Sequence, residues 1–348
     1  MSPATISRAV ARLCREGLAV EEDVPGAGVG RPPRLVRLRP DAAHVVGVDA
    51  GGSGVRVVLT DLKGRVLARA TSTVSSSRRI DAFARAIAEL VREVSDRAGG
   101  RVVAGAAGIS GIVDAAAGRV LLSPDLPVLN GDEVAARLCE SIGVPVVIDN
   151  DDLLAAAGEV AFGAAQGCAE VAFLSLGHGL GAGLVVGGRP VHGARSSAGA
   201  IAYFAPDRLE GRASGRSIPL RYLERRGTSE GVSAERVFEL ARKDDAVARE
   251  VVAEAVEALG DLVVNVAAML DPEVIVLGGG LVRGQPDLRD RLAARLVEAL
   301  PFPPRLVVSA LGEDAVARGA ASHALTLARR LLAGSPAGSE HLGALEYV

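Results

Sequence analysis

The sequence predicts an α/β fold of two related halves facing each other across a cleft, and three observations carry that expectation. Residues 45–70, VVGVDAGGSGVRVVLTDLKGRVLARA, read as apolar strand, glycine turn, apolar strand, turn and third strand. Residues 171–194, VAFLSLGHGLGAGLVVGGRPVHGA, repeat that design. Around them, stretches of helical period alternate with short β-branched runs.

At 348 residues the chain is long enough for two domains and a sizeable core. Acid and base nearly balance, 42 Asp and Glu against 39 Lys and Arg for a net charge of −3, so any DNA contact has to be local. Cys14, Cys139 and Cys168 are widely spaced, which argues against a disulfide framework or a cysteine metal site and fits a reducing cytoplasm. No apolar run reaches membrane-spanning length, so neither insertion nor secretion is expected.

Ser2, Pro3 and Gly17 punctuate a first helix, with Ile6, Val10, Leu13 and Cys14 on one face. Ser2, Thr5, Ser7, Arg8 and Arg12 supply the small polar and cationic groups that a recognition helix offers to bases and phosphates. A solvated surface helix carries the same face. Strands over 18–22 and 35–38 flank a Gly/Pro-rich loop that looks like the wing of a winged helix-turn-helix, placing Arg31 and Arg34 within reach of phosphates or a minor groove. One helix and one hairpin cannot bury Ile6, Val10, Leu13 and Leu18 alone, so segment 1–40 reads as a partial module in need of a partner. Operator binding by this chain is expected to be weak.

A linker over 39–43 leads to the first hairpin unit. Gly51, Gly52 and Gly54, around Ser53 and after Asp49, allow close approach to backbone N–H groups by an anion such as a phosphate. A tight hairpin without a ligand has the same sequence. Phe83, Ile87, Leu90, Val91 and Val94 mark a helix over 80–98, and a strand over 102–106 runs into the loop Gly108-Ile109-Ser110-Gly111. A helix over 133–142 and a strand over 144–148 end in Asp149-Asn150-Asp151-Asp152. A carboxylate at a strand's carboxyl end can take the proton of a hydroxyl that attacks a phosphoryl group; an Asx-rich turn is the other reading. A helix over 153–162 precedes the second hairpin unit. Residues 207–226 read as a loop and helix, 232–243 and 246–270 as helices, and a strand over 274–277 enters Gly278-Gly279-Gly280, either a nucleotide-accepting loop or a tight βα turn. A helix over 288–300, a strand over 305–309 and a closing helix over 314–332 follow, and the Gly/Ser/Pro-rich tail 334–348 is expected to be disordered.

The two hairpins, with Gly108-Ile109-Ser110-Gly111-Ile112-Val113-Asp114, Asp149-Asn150-Asp151, Ala198-Gly199-Ala200 and Leu277-Gly278-Gly279-Gly280, resemble in order the ROK family of sugar kinases and sugar-responsive repressors, from about Ser2 to about Ala333. The resemblance implies a two-lobed actin-like, ribonuclease-H-like ATPase fold behind the partial winged helix-turn-helix. It implies a first lobe over 44–149 completed by 314–332, a second over 150–313, and a homo-oligomer. It places Gly108, Ser110, Asp125, Asn150 and Asp151 around a sugar-like effector, with Asp151 as the base if the chain is a kinase. It places Asp49, Gly51, Gly52, Ser53, Gly177, His178, Gly179, Gly278, Gly279 and Gly280 around a nucleotide, ATP with magnesium entering only in the kinase case.

Several positions depart from the family pattern. Gly54 stands where kinases carry lysine, His178 where they carry threonine, Leu153 and Asp125 where asparagines are usual, and Ala200 and Tyr203 where a sugar-binding glutamate and a zinc-binding histidine are usual. No cysteine follows Cys168, so the family's cysteine cluster is missing and no structural zinc is expected. Losing donors and charge around the phosphates disfavours phosphoryl transfer. The helix, hairpin and Gly-Arg-Pro-Pro junction match the repressor branch. The expectation is therefore a cytoplasmic ROK-type transcriptional regulator contacting operator DNA, with an ATP-dependent sugar kinase using Asp151, or a degenerate pseudokinase acting as an interaction protein, as the alternatives.

Overall fold

Two hairpin units of one design fold into two sheets of one topology. The computed structural model describes residues 2–23, 34–52, 54–73, 79–203, 209–285 and 287–333. α1 (Pro3–Arg15) and the hairpin of β1 (Ala19–Asp23) and β2 (Arg34–Leu38) precede β3 (His44–Gly51), β4 (Gly54–Asp61) and β5 (Val66–Ser72). Then come α2 (Ile80–Ala98), β6 (Val102–Ile109), the small hairpin β7 (Ile112–Asp114) and β8 (Arg119–Leu122), α3 (Val134–Ile142), β9 (Val146–Asn150) and α4 (Asp151–Phe162). The second unit runs β10 (Val171–Leu176), β11 (Leu180–Val186), β12 (Arg189–Pro190), α5 (Glu210–Ala213), α6 (Ser217–Arg226), α7 (Ala234–Arg242) and α8 (Ala246–Leu270). β13 (Val274–Gly278), α9 (Gly280–Gly284), α10 (Leu288–Ala299), β14 (Arg305–Val308) and α11 (Ala315–Leu332) complete the described chain.

The first sheet has the order β5-β4-β3-β6-β9 and the second β12-β11-β10-β13-β14. In each, three antiparallel strands are extended by two parallel ones. Alternation along β3 then sorts the side chains. Val46, Val48 and Ala50 pack outward with Phe83, Ile87 and Val94 of α2, while Val45 packs inward with Ala320 and Ala324 of α11. In β10, Ala172, Leu174 and Leu176 face α8, whereas Phe173 joins Ala155 and Ala156 of α4.

α4 and α11 therefore form a middle layer between the sheets, and small residues let them approach closely. A Cβ on Gly319 of α11 would lie 1.6 Å from Leu154 O, and one on Gly47 of β3 would lie 2.0 Å from Ala317 O. Only glycine fits at either contact.

The amino-terminal segment finds its partner at the far end of α11. Ser2 Oγ caps α1 by accepting the Thr5 N–H at 3.3 Å. Leu18 is buried and packs, with Leu13, in a cluster that includes Leu331 and Leu332, and Arg12 donates to Ala333 O at 2.9 Å. Ile6, counted in the apolar face, stays 50% exposed.

Four readings of the sequence need revision. β6 continues through Gly108 and Ile109, so the loop begins at Ser110. The β7–β8 hairpin was not anticipated. α4 starts at Asp151, with Asn150 as its cap accepting the Leu153 N–H at 2.9 Å, so Asp151 opens a helix rather than sitting in a turn. Arg12 is turned to Ala333 and Glu16 rather than standing free for a phosphate. Ser53, Arg31 and the tail 334–348 lie outside the described residues. Among the described residues no helix is long and apolar enough to cross a membrane.

Candidate functional site

Register places the charged groups of the first sheet in one row. Asp49 of β3 pairs with Gly108 of β6, which pairs with Asp149 of β9. Side chains in such a row share a face, here the inner one, and Gly108 leaves room between the two acids for Val316 and Leu154. Asp149 is buried and Asp49 half-buried.

Asp49 is flanked by the residues the sequence singled out. Burial, reinforced by the Asp151 carboxylate, pushes Asp49 up to about 7, against the pull of Arg56 directly opposite on β4. Half-buried Asp151 is raised to about 6, again by removal from water first and by Asp125 further down. Asn150 Nδ2 donates to Gly111 O at 2.8 Å and lies 3.0 Å from Asp151 Oδ1. Ser110 Oγ donates to Asp125 Oδ2 at 3.2 Å, and a Cβ on Gly52 would lie 3.0 Å from Asp125 Cβ. Thus Asp49, Gly52, Gly108, Ser110, Asp125, Asn150 and Asp151 meet at the carboxyl ends of β3, β6 and β9. Gly51 has open space beside it.

Asp152 joins this group to the second hairpin. Its carboxyl sits where a Cβ on Gly181 would be, 1.7 Å from Oδ2, and burial followed by the Asp151 charge holds it well above the usual carboxylate range. Gly177, His178 and Gly280 line a neighbouring cavity of about 530 Å³, together with Arg216, Leu220 and Val232. Gly279, at φ +93°, passes so close to β10 that a Cβ would lie 2.3 Å from Leu176 O. Gly179 lies beside Glu210, whose Oε2 accepts the Leu180 N–H at 3.0 Å. Gly278 remains in β13. Ala200 and Ile201 line a separate cavity of about 650 Å³ against α8.

Two cross-sheet ties escaped the sequence reading. His192, after β12, holds Asp149 through Nε2 at 2.9 and 3.1 Å, and that hydrogen bond raises His192. On the other side, Glu313 joins Arg56 of β4 at 2.7 Å to Arg283 of α9 at 2.9 Å. Asp149 stood in the acid run already noted, but no local spacing couples it to a histidine so distant in sequence.

Residues 45–327 match the sequence pattern described as the ROK family. The chain belongs to the ROK family. A bifunctional enzyme NanE/NanK of Brucella melitensis is 31% identical over 87% of this chain, which spans 60% of that relative. The xylose repressor of Caldicellulosiruptor bescii is 25% identical over 80% of this chain and 76% of its own length. Among solved structures, the ROK hexokinase from Thermus thermophilus superposes with a TM-score of 0.72 at 28% identity, covering 82% of this chain and 99% of its own. A ROK transcriptional regulator, a homologue of the E. coli MLC protein, superposes at 0.77 with 24% identity, covering 96% of this chain and 90% of its own. The two-lobed actin-like fold implied by the resemblance is thereby established for this ROK chain.

The zinc site of the family does not fit this ROK protein. Tyr203 occupies the histidine position, and no cysteine follows Cys168. The amino-terminal groups are only partly free. Ser2 and Thr5 hydroxyls lie 2.9 Å apart within the cap, Arg8 Nε reaches Ala4 O at 3.4 Å, and Arg34 pairs with Glu21 at 2.7 Å. Ser7 and Arg8 are exposed.

Proposed function

We propose that this ROK protein is a transcriptional regulator whose two-sheet body senses a small sugar-like molecule and whose amino-terminal helix and hairpin contact operator DNA. The observation that carries the reading is the course of α11. At one end Val316 lies against Gly108 in the acidic cleft; at the other, Leu331, Leu332 and Ala333 hold Leu13, Leu18 and Arg12 of the head. A ligand that shifts the cleft end of this helix moves the seat of α1, which is a physical basis for coupling the two sites. The regulator of known structure also spans the head of this chain, covering 96% of it against 82% for the hexokinase. Gly54 and His178 leave the phosphate side without the lysine and threonine that the kinase pattern carries.

Asp151 keeps the kinase reading alive as the second possibility, because it stands at the end of β9 with Asn150 beside it and is raised to about 6, within the range of a working base. In that case the glycines at 177, 279 and 280 with His178 would hold ATP, and magnesium would supply charge neutralisation at its phosphates. The two readings part in one pair of assays on the full chain: mobility shift on DNA from upstream of its own gene, with and without monosaccharides, and ADP release on the same sugars. A weak, sugar-dependent shift without turnover is expected. Turnover that Asp151→Asn abolishes overturns the regulator reading.

A further inference from the structure

Away from the cleft, the body meets the head at a turn whose cations have no acid to hold them. Gly64, between β4 and β5, is buried: a Cβ there would lie 2.6 Å from Phe162 Cε1 and 3.4 Å from Leu325 Cδ1 of α11. Its neighbours Lys63 and Arg65 are exposed. Asp61 pins the turn, its Oδ1 accepting the backbone N–H groups of both at 2.9 Å. Exposed Arg329 follows Leu325 by one helical turn, on the same face of α11. Leu62, just before Lys63, packs in the cluster that buries Leu18 of the head. Among the described residues, the side chains of Lys63, Arg65 and Arg329 make no hydrogen bond or ion pair. The acids of the head and linker are engaged, Glu16 by Arg12 and Asp41 by Arg39. Arg221, Arg225 and Arg226 of α6, by contrast, each hold a carboxylate. Asp61 and Gly64 suffice to form the turn, so folding asks nothing of the two cationic side chains beside them.

We propose that DNA held by α1 and the β1–β2 hairpin also lies against this turn, and that Lys63, Arg65 and Arg329 contact its phosphates from the body. Cations fixed on two elements beside the head suit a polyanion long enough to reach from one to the other, and each phosphate neutralised releases counterions. Such contacts add affinity and orientation without reading sequence. The head is short of them, since Arg12 is turned to Ala333 and Arg34 to Glu21. The turn also rests on α11, whose other end borders the cleft at Gly108. A shift of that helix therefore disturbs the contacts from head and body together. The inference rests on the regulator reading above.

The test is fluorescence anisotropy of the full chain on DNA from upstream of its own gene and on an unrelated duplex of equal length, each at several salt concentrations. The double variant Lys63→Gln, Arg65→Gln is expected to weaken binding to both duplexes alike, by about tenfold, and to lower the slope of log affinity against log salt by about 2. Circular dichroism checks that it folds. Lys243→Gln, an exposed cation at the end of α7, is expected to change neither quantity. Unchanged affinity and slope in the double variant, with Arg8→Gln weakening binding, overturn the body contact and leave the regulator reading standing. An equal loss in Lys243→Gln overturns it in favour of net charge alone. Polyglutamate that binds more tightly than either duplex, and is lost in the double variant, overturns it in favour of an acidic protein. No binding of either duplex at low salt by the unaltered chain overturns both readings.

Discussion

The two sheets share strand order and direction but differ in what they bring to the cleft. Two residues before the first glycine of its hairpin, the first sheet carries Asp49; at the same spacing the second carries Ser175. Asp151 acts on Asp49 and Asp125 on Asp151, with Arg56 opposite Asp49. Around the second hairpin lies a cavity of about 530 Å³ walled by Leu220, Val232 and Leu281 beside glycine backbone. One half thus supplies charge and the other space. Repetition fixes where side chains point, through strand alternation, and leaves what they are to vary, so a duplicated scaffold divides the work of one site.

The comparison breaks most completely at the layer between the halves. Gly319→Ala places a methyl carbon where Leu154 O now stands at 1.6 Å, forcing α4 and α11 apart, so a loss of about 3 kcal/mol or more is expected in urea unfolding. A milder test concerns the head, which packs against the end of α11. Leu18→Ala should cost about 2 kcal/mol of docking energy, read as faster proteolytic cleavage within the first 40 residues while the body resists.

The smallest expected effect sharpens the contrast between the two ties that join the halves. His192 is raised in the folded state, so its pairing with Asp149 stabilises fully below its ordinary value of 6.5 and is lost as pH rises through the raised one. The other tie, Arg56–Glu313–Arg283, contains no histidine. His192→Gln should therefore lower the melting temperature by a few degrees near pH 6, about 1 kcal/mol, and have little effect near pH 9. An equal loss at both pH values would mean that packing rather than charge holds the loop.

Much of the fold was legible because the signals are local. Period-two runs ending in glycine located β3, β4, β10 and β11, and helical spacing located α2 and α8 to within a residue or two. β7 and β8 were missed because three- and four-residue strands carry too little pattern to stand out from a turn. The acids of the cleft were found through a strand end followed by Asx residues. Their mutual pressure was not, since it depends on β3 and β9 flanking β6, a pairing that no short window contains. The same holds for His192 with Asp149, and for Leu18, whose partner lies at the opposite end of the described chain.

Threading the last helix between the sheets has a consequence for biosynthesis. Until residues 315–332 leave the ribosome, Val45, Ala104 and Leu154 have no cover, and the head has nowhere to sit. Folding of the amino-terminal third therefore waits for α11 to emerge, and a nascent chain stalled before Ala315 exposes an apolar sheet face that chaperones would bind.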